Sequence, residues 1–157
     1  KVAGVDGLII VDLPPEHDDE LCLPALDRHI SIVRLASPTT NNARLPAVLK
    51  NTSGFVYYVA ITGVTGTKSA DAEQVSHAVK RLRQHTDLPI AVGFGIRTRD
   101  QVAEIARTAD AAVVGSAIVS TIESSLDTRG QATAETVPQT IALVRDLAEG
   151  VQRARDK

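Results

Sequence analysis

Five short apolar runs recur along this 157-residue chain, and their spacing constrains the fold more than any other feature. They read GLIIVDL (7–13), ISIVRLA (30–36), FVYYVAI (55–61), LPIAVGFG (88–95) and DAAVVGSA (110–117). Each is rich in β-branched residues and apolar without alternation, which is how a strand reads when both faces of a parallel sheet are buried. A turn and a helix-patterned segment follow each run. Parallel neighbours need such crossovers, so the chain is an α/β protein with repeated βα units.

The helical segments differ in clarity. Residues 69–86 place Ala72, Val75, Val79 and Leu82 on one face. Residues 98–108 open with Thr98 and carry Gln101 three positions later, a capping-box pattern. Residues 135–153 set Val137, Ile141, Val144, Ala148 and Val151 on a single stripe. Residues 42–50 start at Asn42, a favourable N-cap, with Pro46 tolerable only in the first turn. Within 17–29, Pro24 interrupts the pattern, so one turn, a break and a short helix from Pro24 are expected. The polar stretch SSLDTRGQATA (124–134) reads as a mobile connection within one domain spanning 1–157.

Two architectures satisfy this order: an open doubly wound sheet, or part of a (β/α)8 barrel. A full barrel takes about 250 residues. In the barrel reading these five runs are strands four to eight, and the first three βα units are missing. The first residue is Lys1 and no methionine occurs, so part of a longer translation product is expected. Aromatics are 3% of residues, which leaves the core to aliphatic side chains. The net charge is -2 with both signs interspersed, so neither a nucleic-acid footprint nor a membrane-binding basic run is present. Cys22 is the single cysteine, which rules out an internal disulfide and fits a reducing cytoplasm.

The chemistry concentrates at the ends of the runs. Gly66, Gly95 and the pair Gly115–Ser116 follow three successive strands. Glycine lets a backbone approach a ligand closely, and a helix N-terminus favours an anion, so together they can cradle a phosphate. The alternative for each glycine alone is an ordinary turn. One of Tyr57 and Tyr58 should face the barrel and the other the helices, because side chains alternate along a strand. The segment DLPPEHDDE (12–20) is acidic. His17 has no second histidine at helical spacing, so a solvated helix start is the plainer reading than a metal site. Asp12 stands apart as a residue at a strand end. His29, His77 and His85 read as surface residues, and Cys22 as core rather than nucleophile.

The words RLASPTTNNARLPAVLKNTSGFVYYVAITGVTG, LPIAVGFGIRT and AAVVGSAIV, with GLIIVDLPPE before them, closely resemble the tryptophan synthase α subunit from about Gly4 to the final helix. That resemblance implies a (β/α)8 TIM barrel and a lyase of tryptophan biosynthesis. The family cleaves indole-3-glycerol phosphate to indole and glyceraldehyde 3-phosphate in a retro-aldol reaction. It implies no cofactor on this chain, because pyridoxal phosphate belongs to the β subunit, the partner in an αββα complex. By the family's pattern, Gly66, Gly95, Gly115 and Ser116 hold the substrate phosphate, and Tyr57 and Phe94 line the indole-glycerol site. Thr65 lies in a loop that closes over the substrate, with Gly63 as its hinge. Asp12 and Pro14 belong to the face that meets the β subunit.

The resemblance also marks a departure. The family's catalytic glutamate and aspartate belong to the second strand and the loop after it, upstream of Lys1, so no residue of this chain takes those roles. A fragment inactive alone is expected. The alternatives are another phosphate-binding TIM-barrel enzyme, or a non-catalytic half-barrel that associates with a partner through its open sheet edges.

Overall fold

The computed structural model describes residues 2–60, 72–93 and 95–155. All five apolar runs form strands: β1 (Gly7–Ile9), β2 (Ser31–Ala36), β3 (Val56–Val59), β4 (Ile90–Gly93) and β5 (Ala111–Val113). They make one sheet in the order β1-β2-β3-β4-β5, every pairing parallel. Sequential order with parallel pairing is barrel topology; a doubly wound sheet would reverse its order at a switch point.

The register sorts the side chains into two faces. Val56, Tyr58, Ile90 and Val92 join the main core with Val75, Ala78, Val79 and Leu82 of α3 (Ala72–Arg83). Val102 and Ile105 of α4 (Arg99–Ala106) belong to the same core. A smaller cluster joins Cys22 and Ala25 of α1 (Cys22–Leu26) to Ile32. The odd-numbered Tyr57, Ala91, Gly93 and Val113 point to the other side of the sheet, away from the helices.

Local chemistry explains most helix boundaries. Thr98 caps α4 with both halves of the capping box: Gln101 N–H donates to Thr98 Oγ1 at 3.3 Å, and Thr98 N–H donates to Gln101 Oε1 at 3.1 Å. The helix α2 (Leu45–Leu49) starts later than Asn42, because Asn41 takes the Arg44 N–H on its side chain at 2.9 Å. Pro46 falls in its first turn, where no N–H is needed. The break in 17–29 is a 3-10 turn (Pro15–His17) followed by α1, which starts at Cys22 rather than Pro24. Pro24 is its third residue, still within the turn whose amides lack helical partners.

Two expectations fail. Residues 124–134 are not a loose connection: Asp127 accepts the N–H groups of Arg129 and Gln131, each at 2.8 Å, and Leu126 bridges Ala132. The expected apolar stripe on α6 (Thr136–Arg155) packs against the main core only at its C-terminal end, through Val151. Leu147 and Gly150 are buried, whereas Val137, Ile141 and Val144 are 68%, 44% and 41% exposed. These three lie on the side of α6 that, with Val119 and Ile122 of α5 (Ser116–Ser124), leaves apolar surface open. No helix among the described residues is long and apolar enough to cross a membrane.

Candidate functional site at the strand ends

Because all five strands run the same way, the residues after them gather at one end of the sheet. Tyr57 is on the face opposite the helical core, half-buried, and its ring lies across Gly93 of the neighbouring strand. A Cβ on Gly93 would stand 2.6 Å from Tyr57 Oη, 2.8 Å from its Cε2 and 3.0 Å from Val113 Cβ. Tyr58 takes the other face: it is buried in the helical core, and that burial pushes its phenol above the ordinary range against the pull of Arg81. The alternation thus places Tyr57, not Tyr58, on the face of the sheet opposite the helical core.

The glycines separate by cause. Gly95 has φ +69°, a conformation that side-chain-bearing residues rarely adopt, so its turn alone accounts for glycine. Gly115 is different. Its φ is −117° and its ψ −75°, and among the described residues no atom lies within 4 Å of where its Cβ would be. Its φ is not of the left-handed kind that reserves a position for glycine, and packing among the described residues does not demand one, although as the N-cap of α5 it holds a position that favours glycine over aliphatic residues. Gly115 and Ser116 are exposed at that helix start, where the first amides point outward with the positive end of the dipole. Phe94, Thr65, Gly66 and the hinge residue Gly63 lie outside the described residues.

Asp12 and Pro14 are exposed. Pairing of β1 with β2 ends at Ile9, so Asp12 sits in the turn beyond the strand, not at its last residue. The acidic segment after it is more than a solvated helix start. Asp18 is 8% exposed and pairs with Arg34 of β2, itself 6% exposed. Arg34 Nη1 also donates to the carbonyl of Leu13, and Asn51 Nδ2 donates to the second Asp18 oxygen at 2.7 Å. Burial pulls the Arg34 guanidinium below its ordinary range, with Glu16 opposing. Sequence reasoning passed over Arg34, although one arginine inside an otherwise aliphatic run is a visible signal. Glu16 is bound by both arms of Arg44, which hold its carboxyl down at about 2. His17 bonds Glu20 at 2.7 Å.

His29, His77 and His85 are exposed, as their spacing suggested. Cys22 is fully buried, its thiol is pushed up by desolvation, and it reaches the Asn51 carbonyl at 3.7 Å, which is the setting of a core residue. Among the described residues, no three His, Cys, Asp or Glu side chains are grouped to hold a metal ion.

A sequential parallel sheet with glycine turns and an outward helix N-terminus at its C-terminal edge defines a barrel-type α/β protein whose ligand end lies beyond the strands. Residues 1–151 match the family model described as tryptophan synthase alpha chain, and the chain belongs to that family, a family of lyases. The structure is similar to a tryptophan synthase of Mycobacterium tuberculosis, with TM-score 0.78, 33% identity and coverage of 96% of this chain and 53% of that one. It is similar to the alpha subunit of Legionella pneumophila, with TM-score 0.81, 26% identity and coverage of 97% and 54%. The alpha subunit of Campylobacter jejuni gives TM-score 0.76, 30% identity and coverage of 93% and 55%. The chain therefore spans about half the length of the structures it matches.

Proposed function

We propose that this chain is the phosphate-holding half of a tryptophan synthase α subunit, carrying strands four to eight of its (β/α)8 barrel as one domain over 1–157. In this reading the substrate is indole-3-glycerol phosphate. The reaction breaks the bond between the indole ring and the glycerol chain and releases indole and glyceraldehyde 3-phosphate. Gly66, Gly95, Gly115 and Ser116 hold the phosphate, Tyr57 and Phe94 line the indole-glycerol part, and Thr65, in the loop that closes over the substrate, supplies a positioning hydroxyl. Asp12 and Pro14 face the β subunit, which carries the pyridoxal phosphate; this chain needs no cofactor of its own, and its setting is the cytoplasm.

The observation that carries the reading is Gly115. Among the described residues nothing fills the space beside it, and the residue opens a helix at the strand ends. A bound phosphate supplies a reason for that open space, since amides and dipole both favour it. The chain's own residues bind and orient. The acid and base that a retro-aldol cleavage requires belong to the upstream half, and losing such groups typically lowers rate by about 10²–10⁴-fold each.

The test is calorimetric titration of the 157-residue chain with indole-3-glycerol phosphate, together with a fluorescence assay for released indole. Weak binding that Gly115→Val abolishes, with no indole released, is the expected result. Indole release at an enzymatic rate would mean that these residues include a catalytic acid and base, and would overturn the division of labour. In a complete α subunit, Thr65→Val is expected to lower turnover far more than phosphate affinity.

A second reading, a half-barrel that associates with another chain, is favoured by the open apolar surface. Val11 is 72% exposed, Val119 62% and Val137 68%. The edge strands β1 and β5 each pair on one side only among the described residues. Light scattering separates the readings, because a stable soluble monomer counts against association.

A further inference from the structure

Arg34 is an odd residue for its place. Its strand neighbours Val33 and Leu35 are aliphatic, and the helix-side positions in register with it, Val56 and Ile90, are buried core. A buried ion pair is weak grounds for stability, since an apolar pair of similar volume is often as good or better. What this guanidinium does that an apolar residue could not is hold two points of one loop at once. One arm takes the Leu13 carbonyl, between Asp12 and Pro14; the other takes Asp18, whose second oxygen is held by Asn51. The backbone N–H of Leu23 donates to the Asp18 carbonyl at 2.9 Å, so the far side of the loop is fixed as well. On either side of the Leu13 anchor, Asp12 and Pro14 remain exposed.

We infer that Arg34 is a positioning residue for partner binding: through the Leu13 carbonyl and Asp18 it fixes the loop after β1 so that Asp12 and Pro14 are presented as a preformed contact surface. The surface suits a partner that offers a cation to the Asp12 carboxylate and an apolar patch to the Pro14 ring. The inference that this partner is a tryptophan synthase β subunit rests on the proposed function. A loop held in its bound shape loses less freedom on association, so pre-ordering raises affinity without adding a contact.

The test uses the 157-residue chain and has two arms. The first is ¹⁵N relaxation of the Asp12 and Leu13 amides in wild type and Arg34→Met. Order parameters near 0.85 in the wild type, falling below about 0.6 in the variant while β2 and β3 amides stay rigid, are expected. Unchanged order at Asp12 and Leu13 would overturn the positioning role. Should Arg34→Met not fold, the double variant Arg34→Met/Asp18→Asn serves, because it leaves no unpaired buried carboxylate. It removes both arms of the contact, so the same loss of order is expected and its absence would be equally fatal.

The second arm is titration with an isolated tryptophan synthase β subunit and, separately, with glycerol 3-phosphate. Arg34→Met is expected to weaken β-subunit binding about tenfold and to leave glycerol phosphate affinity unchanged, a split that general destabilisation would not give. Equal weakening of both would overturn the inference. A wild-type chain that binds no β subunit would refute the partner assignment, while the order parameters still decide whether Arg34 fixes the loop.

Discussion

The ring of Tyr57 occupies the space that a side chain on Gly93 would take. The two residues sit on adjacent strands, where Tyr57 pairs with Ala91 and Val59 with Gly93, so the ring lies diagonally across the sheet. Diagonal neighbours are within reach of an aromatic side chain. A glycine on β4 is thus what lets a tyrosine on β3 lie flat at the ligand end, and changing either residue should be felt at the other.

Gly93→Ala places a methyl group within van der Waals overlap of the ring and is expected to lower stability by about 1–3 kcal/mol, the usual penalty for overpacking. Tyr57→Ala removes the obstruction. The double variant should therefore be less destabilised than the sum of the two, with a coupling of about 0.5–3 kcal/mol. Urea denaturation of the four proteins measures it. Strict additivity would mean that the ring can move aside without loss.

Gly150 presents a second close approach, between helices. Its Cβ would stand 2.4 Å from the Arg99 carbonyl oxygen at the start of α4 and 3.1 Å from Arg99 Cγ. Helix propensity alone favours alanine over glycine by about 1 kcal/mol. The obstacle is a backbone atom that also belongs to a capped helix start, and Arg99 is held by Asp146 and by Glu149 at 3.0 Å. Packing strain of about 1–3 kcal/mol should exceed the propensity gain, so Gly150→Ala is expected to destabilise. A higher urea midpoint for the alanine variant would show that α4 and α6 separate freely.

Asp110 ties the start of β4 to α3: its Oδ2 accepts the Ile90 N–H at 2.8 Å and Arg83 Nη2 at 3.0 Å. The Ile90 amide, with Arg83 behind it, holds the carboxyl below its ordinary value of 3.8. A carboxyl depressed in the folded state contributes stability that is complete above its unfolded pKa and is lost as pH falls through the folded one. Asp110→Asn keeps an acceptor but removes the titration. Stability measured from pH 6 down to about pH 2 should fall less steeply in the variant, and identical slopes would show that Asp110 is not linked to folding.

Much of this was legible in the sequence. The five apolar runs became the five strands because β-branched, non-alternating segments have few other uses. The capping box of Thr98 and Gln101 was visible as spacing, because each partner satisfies the other within one turn. The misses share a physical origin in long-range partners. Asn41 took the place of Asn42 because the turn before α2 was not visible. Residues 124–134 have loop composition, but one carboxylate at Asp127 organises them. The α6 stripe was real as a pattern. Periodicity marks apolar faces without saying what covers them, and Val137, Ile141 and Val144 are left open. Arg34 was missed because its meaning depends on Asp18 and Leu13, sixteen and twenty-one residues away.

The two strand-end glycines should respond differently to the same substitution, and this difference separates a ligand contact from a backbone requirement. Gly115→Val puts a side chain into space that is open among the described residues, but it replaces a favoured N-cap residue with a poor one. Stability should fall by about 1 kcal/mol or less, the ordinary cost of a weakened N-cap. Affinity for glycerol 3-phosphate should fall by at least about tenfold, because the side chain stands where the helix amides would meet the anion. Gly95→Val also meets no atom of the described residues, but at φ +69°, where a β-branched residue is strained by about 1–3 kcal/mol. That variant should lose stability and binding together. Thermal melts beside calorimetric titrations read both quantities. A Gly115→Val protein that binds phosphate like the wild type would remove the start of α5 from the site and leave helix capping as the cause of its glycine.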